Sequence, residues 1–152
     1  MKRRTAVAAA ILTVAALGAL PSQAATKAKP KPKPIKGSYT LNLTPDPTPN
    51  ATNAAGKPGC GVIPSSQDKH AFKVPAAGTL KVVLDSPDPT GKGLTDWDMY
   101  LLDPDGVRTS SVGGTSHEEI IEPFKVKTPV TFWVCNLAGQ PSGTVSYTFT
   151  YK

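Results

Sequence analysis

A chain of 152 residues leaves room for one domain, and its formal charge of +6 is unevenly spread. Lys2, Arg3, Arg4 and the five lysines from Lys27 to Lys36 hold the surplus, so that from Gly37 onward nine basic residues face eleven acidic ones. Nucleic-acid binding calls for a basic patch on the fold, whereas this one lies on a tail.

Met1 to Ala24 has the layout of a secretory signal peptide. Lys2, Arg3 and Arg4 form the charged start, Ala6 to Leu20 the apolar run, and Ser22-Gln23-Ala24 a small-x-small cleavage site. The apolar run is short of the roughly 20 residues that span a bilayer, so no membrane span is expected after its removal. Ala25 to Lys36 alternates lysine and proline, which favours an extended, solvated spacer. It serves either as a plain linker or as an electrostatic tether to an anionic cell envelope. The expected organisation is a signal peptide at 1–24, a Lys/Pro-rich linker at 25–36 and a domain at 37–152. Export and an even cysteine count predict a Cys60–Cys135 disulfide, the alternatives being a thiolate nucleophile or a metal ligand.

Tyr39 to Thr44 alternates apolar and polar residues and predicts the first strand. A Pro-, Thr- and Asn-rich loop follows from Pro45 to Gly59, with Asn50-Ala51-Thr52 matching the glycosylation sequon. Further strands are predicted at His70–Val74, Thr79–Asp85, Asp96–Leu102, Val107–Val112, Glu119–Phe124, Val130–Asn136 and Thr144–Tyr151, with turn residues between them. In Asp96–Leu102, Trp97, Met99 and Leu101 alternate with Asp96, Asp98 and Tyr100. Asp103-Pro104-Asp105-Gly106 then fits a tight turn, with Gly106 at the position that takes positive φ. In the last strand Val145, Tyr147, Phe149 and Tyr151 share the face expected in the core. Eight short strands without a helical period predict an all-β, antiparallel two-sheet sandwich.

Three stretches carry a family likeness: Phe72-Lys73-Val74-Pro75-Ala76-Ala77-Gly78-Thr79-Leu80, Asp96-Trp97-Asp98-Met99-Tyr100-Leu101, and Asp103-Pro104-Asp105-Gly106. In this order they resemble the bacterial pre-peptidase C-terminal domain family, over about residues 70–151. The resemblance implies a jelly-roll-like β-sandwich, usually appended to secreted proteases and other exported enzymes. The family is similar to the collagen-binding domains of clostridial collagenases, some of which bind calcium. Two features depart from it. The sequence shows no catalytic domain beside the module, and its spacer carries lysines where those relatives place acidic ligands.

Asp96, Asp98, Asp103 and Asp105 are the candidate ligands for a metal, which would be calcium, since that ion takes six to eight oxygens. The same aspartates suit a turn that binds backbone amides and a solvated strand face. Tyr100, Trp133, Tyr147 and Tyr151 are candidates for a stacking surface, and aromatics in sandwiches also serve as core. Trp97 and Trp133 are expected in the core, with Cys135 on the same strand face as Trp133. His70 and His117 have no zinc spacing and read as surface imidazoles. No nucleophile elbow or phosphate loop is present, and no cofactor is expected. The leading expectation is a secreted, non-catalytic module binding an extracellular protein or polysaccharide. The alternatives are a hydrolase in which the acids around Asp96 and Asp98 form a cleft with His117, or a purely structural envelope-associated protein.

Overall fold

The computed structural model describes residues 30–46 and 59–152. The signal peptide, the first five residues of the Lys/Pro spacer and the Asn50 sequon lie outside the described residues. Among the described residues eight strands are formed: β1 (Ile35–Asn42), β2 (Gln67–Val74), β3 (Gly78–Asp85), β4 (Asp96–Asp103), β5 (Gly106–Ser111), β6 (His117–Phe124), β7 (Thr128–Ala138) and β8 (Ser142–Tyr151). One 3-10 turn (Pro64–Ser66) precedes β2. Among the described residues no helix is long and apolar enough to cross a membrane.

The strands form two antiparallel sheets, ordered β1-β8-β3-β6 and β2-β7-β4-β5. Every connection crosses from one sheet to the other except the β4–β5 hairpin. Strand pairs β4–β5, β3–β6, β2–β7 and β1–β8 nest outward from that hairpin, so the fold is one long hairpin rolled into a two-sheet jelly roll. The Asp103–Gly106 turn is its tip: Asp103 pairs with Gly106, and the Asp103 carboxylate accepts the Asp105 amide at 2.9 Å.

The alternation read from the sequence places the core. Leu80, Val82 and Leu84 of β3, Trp97, Met99 and Leu101 of β4, Phe132 and Val134 of β7, and Val145 and Phe149 of β8 are fully or almost fully buried between the sheets. Gly143 lets this packing close, since a Cβ there would stand 3.0 Å from the Trp97 ring. Tyr147 and Tyr151 pack on the same core from its margin.

Three expectations need correction. β1 starts at Ile35, inside the stretch assigned to the spacer, because Ile35, Gly37, Tyr39 and Leu41 continue the inward period along β8. Prolines and lysines just upstream hide that period. His70 is not a surface imidazole. It lies on the inward side of β2, stacked on Tyr39 at 4.3 Å between ring centroids and 5.9 Å from Phe132. Trp133 is not in the inter-sheet core but on the outer face of β7, on the same side as Cys135 as the strand period requires.

Candidate functional site

The outer face of an antiparallel sandwich sheet is normally polar. On β1, β8 and the start of β3 it is, with Ser38, Thr40, Thr79, Thr144, Ser146, Thr148 and Thr150 in neighbouring register positions, while Val83 and the exposed Ile121 lie toward the β6 edge. The β2-β7-β4-β5 sheet departs from that rule. Cys60 and Cys135 form a disulfide with Cα atoms 5.4 Å apart, closing 75 residues of sequence. This bridge holds the segment ahead of β2 against the sheet's outer face. Tyr100 and Cys135, outward by strand period, are consequently only 2% and 1% exposed. Leu102, Trp133 and Leu137 pack around them. Gln67 ties the segment down, donating its amide to the Gly61 and Ile63 carbonyls and accepting the Trp133 indole N–H at 2.8 Å.

Beyond the covered patch the same face is open. Ala71, Lys73, Leu102, Pro104, Pro129 and Thr131 line a groove of about 420 Å³ running across β2, β7 and β4. At its upper end the Lys69 ammonium stands 4.4 Å over the Trp133 ring, and the Tyr100 and Trp133 rings meet at 5.7 Å. A cation held on an indole keeps a large apolar surface beside a charge, a combination suited to a partner with both apolar and anionic groups. Burial and the negative charge of Asp98 push the Tyr100 phenol above its ordinary range, and its hydroxyl donates to Asp98 Oδ2 at 3.1 Å.

The four candidate aromatics do not form one surface. Tyr100 and Trp133 belong to the outer face of one sheet, while Tyr147 and Tyr151 face inward from the other. Tyr147 packs at a tilt among Phe72, Phe132 and His70, so it is core margin.

The four candidate calcium ligands also separate. Asp96 opens β4 and Asp103 closes it. At roughly 3.3 Å rise per residue the two ends stand about 23 Å apart, too far for one ion. Asp103 is taken up by the Asp105 amide and by Arg108, whose guanidinium also binds Glu122 at 2.7 Å. Among the described residues no group of three or more metal-ligating side chains comes together. The proposed hydrolase cleft fails by the same kind of geometry. Asp98 lies on the outer face of β4, whereas His117 pairs with Asp85 at 2.6 Å on the outer face of the other sheet.

A carboxylate pair that the sequence reading missed lies at the start of β4 and β6. Glu118 is 3% exposed and accepts from Ser111, from the Gly113 amide at 3.1 Å and from Thr115 at 3.0 Å. Burial, then the charge of Glu118, pushes the Asp96 carboxyl above its ordinary value, and its Oδ1 is buried without a hydrogen-bond partner. Glu118 is thus saturated by the loop it closes. The inward position of Glu118 in the β6 alternation was the available signal, masked by the run His117-Glu118-Glu119.

No family model and no curated protein matches this chain. Among solved structures it is similar to the crystal structure of the pre-peptidase C-terminal domain of collagenase from Bacillus anthracis. That likeness is 12% identity and a TM-score of 0.42, over 78% of this chain and 88% of that one.

Proposed function

We propose that this protein is a secreted, non-catalytic β-sandwich module that binds an extracellular protein or polysaccharide through the outer face of the β2-β7-β4-β5 sheet. The observation that carries the reading is the apolar character of that face. Leu102, Ala71, Pro129 and the Trp133 ring continue outward from the covered patch into an open groove edged by Lys69 and Lys73. An apolar surface that the fold leaves open, rimmed by polar groups, marks an interaction site more often than a packing accident. The disulfide supports an oxidising, extracellular setting.

The test is retention of the protein on insoluble matrices: collagen, peptidoglycan, cellulose and chitin. Ala71 is exposed and Thr131 half-buried at the groove, so Ala71→Glu with Thr131→Glu alters the face without touching the inter-sheet core. The double variant is expected to lose retention on the matrix that holds the wild type, with its melting midpoint unchanged. Equal retention of wild type and variant would move the binding surface elsewhere.

A further inference from the structure

One end of the sandwich gathers the β2–β3, β4–β5 and β6–β7 turns together with the end of β8, as the registers Val74–Thr128, Gly78–Phe124 and Gly78–Tyr151 require. The same registers place Lys73, Lys125, Lys127 and Lys152 at this end, all exposed, and among the described residues none of the four enters an ion pair. Its carboxylates are largely neutralised: Asp103 and Glu122 both bind Arg108, leaving Asp105. Ile35 pairs with Phe149, so β1 enters the fold here as well, bringing Lys31 and Lys33 to the same end. Asp85, Asp88, Asp96 and Glu118 lie toward the opposite end. A domain that is almost neutral in total therefore carries a basic pole and an acidic one.

The basic pole also has a shape. The Lys125–Lys127 turn forms a ridge between two grooves. One, of about 410 Å³, is lined by Thr79, Phe124, Thr150, Tyr151 and Lys152; the other, of about 430 Å³, by Arg108, Glu122, Phe124 and Thr128. Lys125 borders both.

We infer that this pole and the lysines leading into β1 form one docking surface for an extended anionic polymer, a chain bearing phosphate groups at regular intervals. Lysine ammoniums act as point charges on stems long enough to follow such a chain, and they do not need the bidentate geometry that arginine supplies. Two grooves flanking a basic ridge suit a polymer strand. A membrane surface would call for a broader apolar tip, and Val126 is the only large apolar side chain in the turn that is strongly exposed, at 67%. Nucleic acid would call for open rings to stack its bases, but Phe124 is 4% exposed beneath the Arg108 guanidinium and Tyr151, half-buried, is engaged edge-to-face with Phe149. This surface adjoins the apolar sheet face at Lys73, but Lys125 and Lys127 lie outside that groove, so the Lys125→Gln with Lys127→Gln variant tests the pole without altering the groove lining.

The experiment measures binding of the full chain to long-chain inorganic polyphosphate, with neutral dextran as the control polymer and phosphatidylglycerol vesicles as the membrane control. The expected result is binding at about 50 mM salt that weakens steeply as salt rises, by counterion release. Lys125→Gln with Lys127→Gln should weaken it roughly tenfold and flatten the salt dependence, while the charge-matched Lys81→Gln with Lys92→Gln changes it by less than about twofold. All four side chains are exposed, so an unchanged melting midpoint certifies that each variant is folded. Equal losses in the two variants would reduce the effect to net charge and overturn the site. So would retention on dextran, or binding to the vesicles with none to polyphosphate.

Discussion

Gly106 sits at φ 121°, and a Cβ built there would meet nothing within 4 Å. The demand for glycine is therefore one of backbone conformation, not of space. Gly106→Val should cost about 1–2 kcal/mol of stability, read as a lower midpoint in urea at unchanged slope. A variant as stable as the wild type would mean that the hairpin tip tolerates any residue. Asp96 gives a second prediction at this scale, with a definite sign. Its carboxyl is raised by burial and by Glu118, so its folded form favours the proton. Such a group contributes stability that is fully present below its unfolded pKa, near 4, and lost as pH rises through the higher folded value. Asp96→Asn should stabilise the protein at pH 7, and the gain should vanish below about pH 4. A loss at pH 7 would show that the carboxylate has a partner it needs.

At the scale of elements, all eight strands were legible in the sequence because turn residues bound short runs, most of them rich in β-branched and aromatic residues, and several, such as β3 and β8, alternate with a period of two. The failures have local causes. β1 was begun late because proline and lysine run up to Ile35, where the inward alternation resumes. β4 reads as a strand with one wet face, yet Asp98 and Tyr100 are buried as thoroughly as Met99. Nothing within β4 reveals that: the cover comes from Cys60, about forty residues upstream, and a disulfide's pairing does not say which face it crosses. The metal and aromatic candidates are drawn apart for the converse reason. Asp96 and Asp103 are close in sequence but strand geometry sends them to opposite ends, and Tyr100 and Tyr147 look alike but belong to opposite sheets. The covering segment yields a test of its own. Reducing the Cys60–Cys135 bond should cost about 4 kcal/mol in the chain-entropy model for a closed loop of 75 residues. It should also expose Trp133, shifting its fluorescence to longer wavelength while the protein stays folded. An unchanged spectrum would mean that the segment holds its place through Gln67 and packing alone.

For the whole molecule, the rolled hairpin produces two sheets of equal size with unequal outer faces. One bears threonines and serines over β1, β8 and the start of β3, with Ile121 exposed at its β6 edge. The other bears an apolar patch partly roofed by the disulfide-bound segment and open across the groove from Ala71 to Leu102. That asymmetry is the basis for assigning a binding role to the second face. The most direct measurement is amide chemical-shift mapping with a soluble fragment of whichever matrix retains the protein. The shifted amides should cluster at Lys69–Lys73 of β2, Pro129–Trp133 of β7 (through its N–H-bearing residues) and Tyr100–Asp103 of β4. Shifts confined to the threonine-rich outer face of β1, β8 and β3 would contradict that role, as would cleavage of the fragment with shifts centred on Asp96 and Glu118.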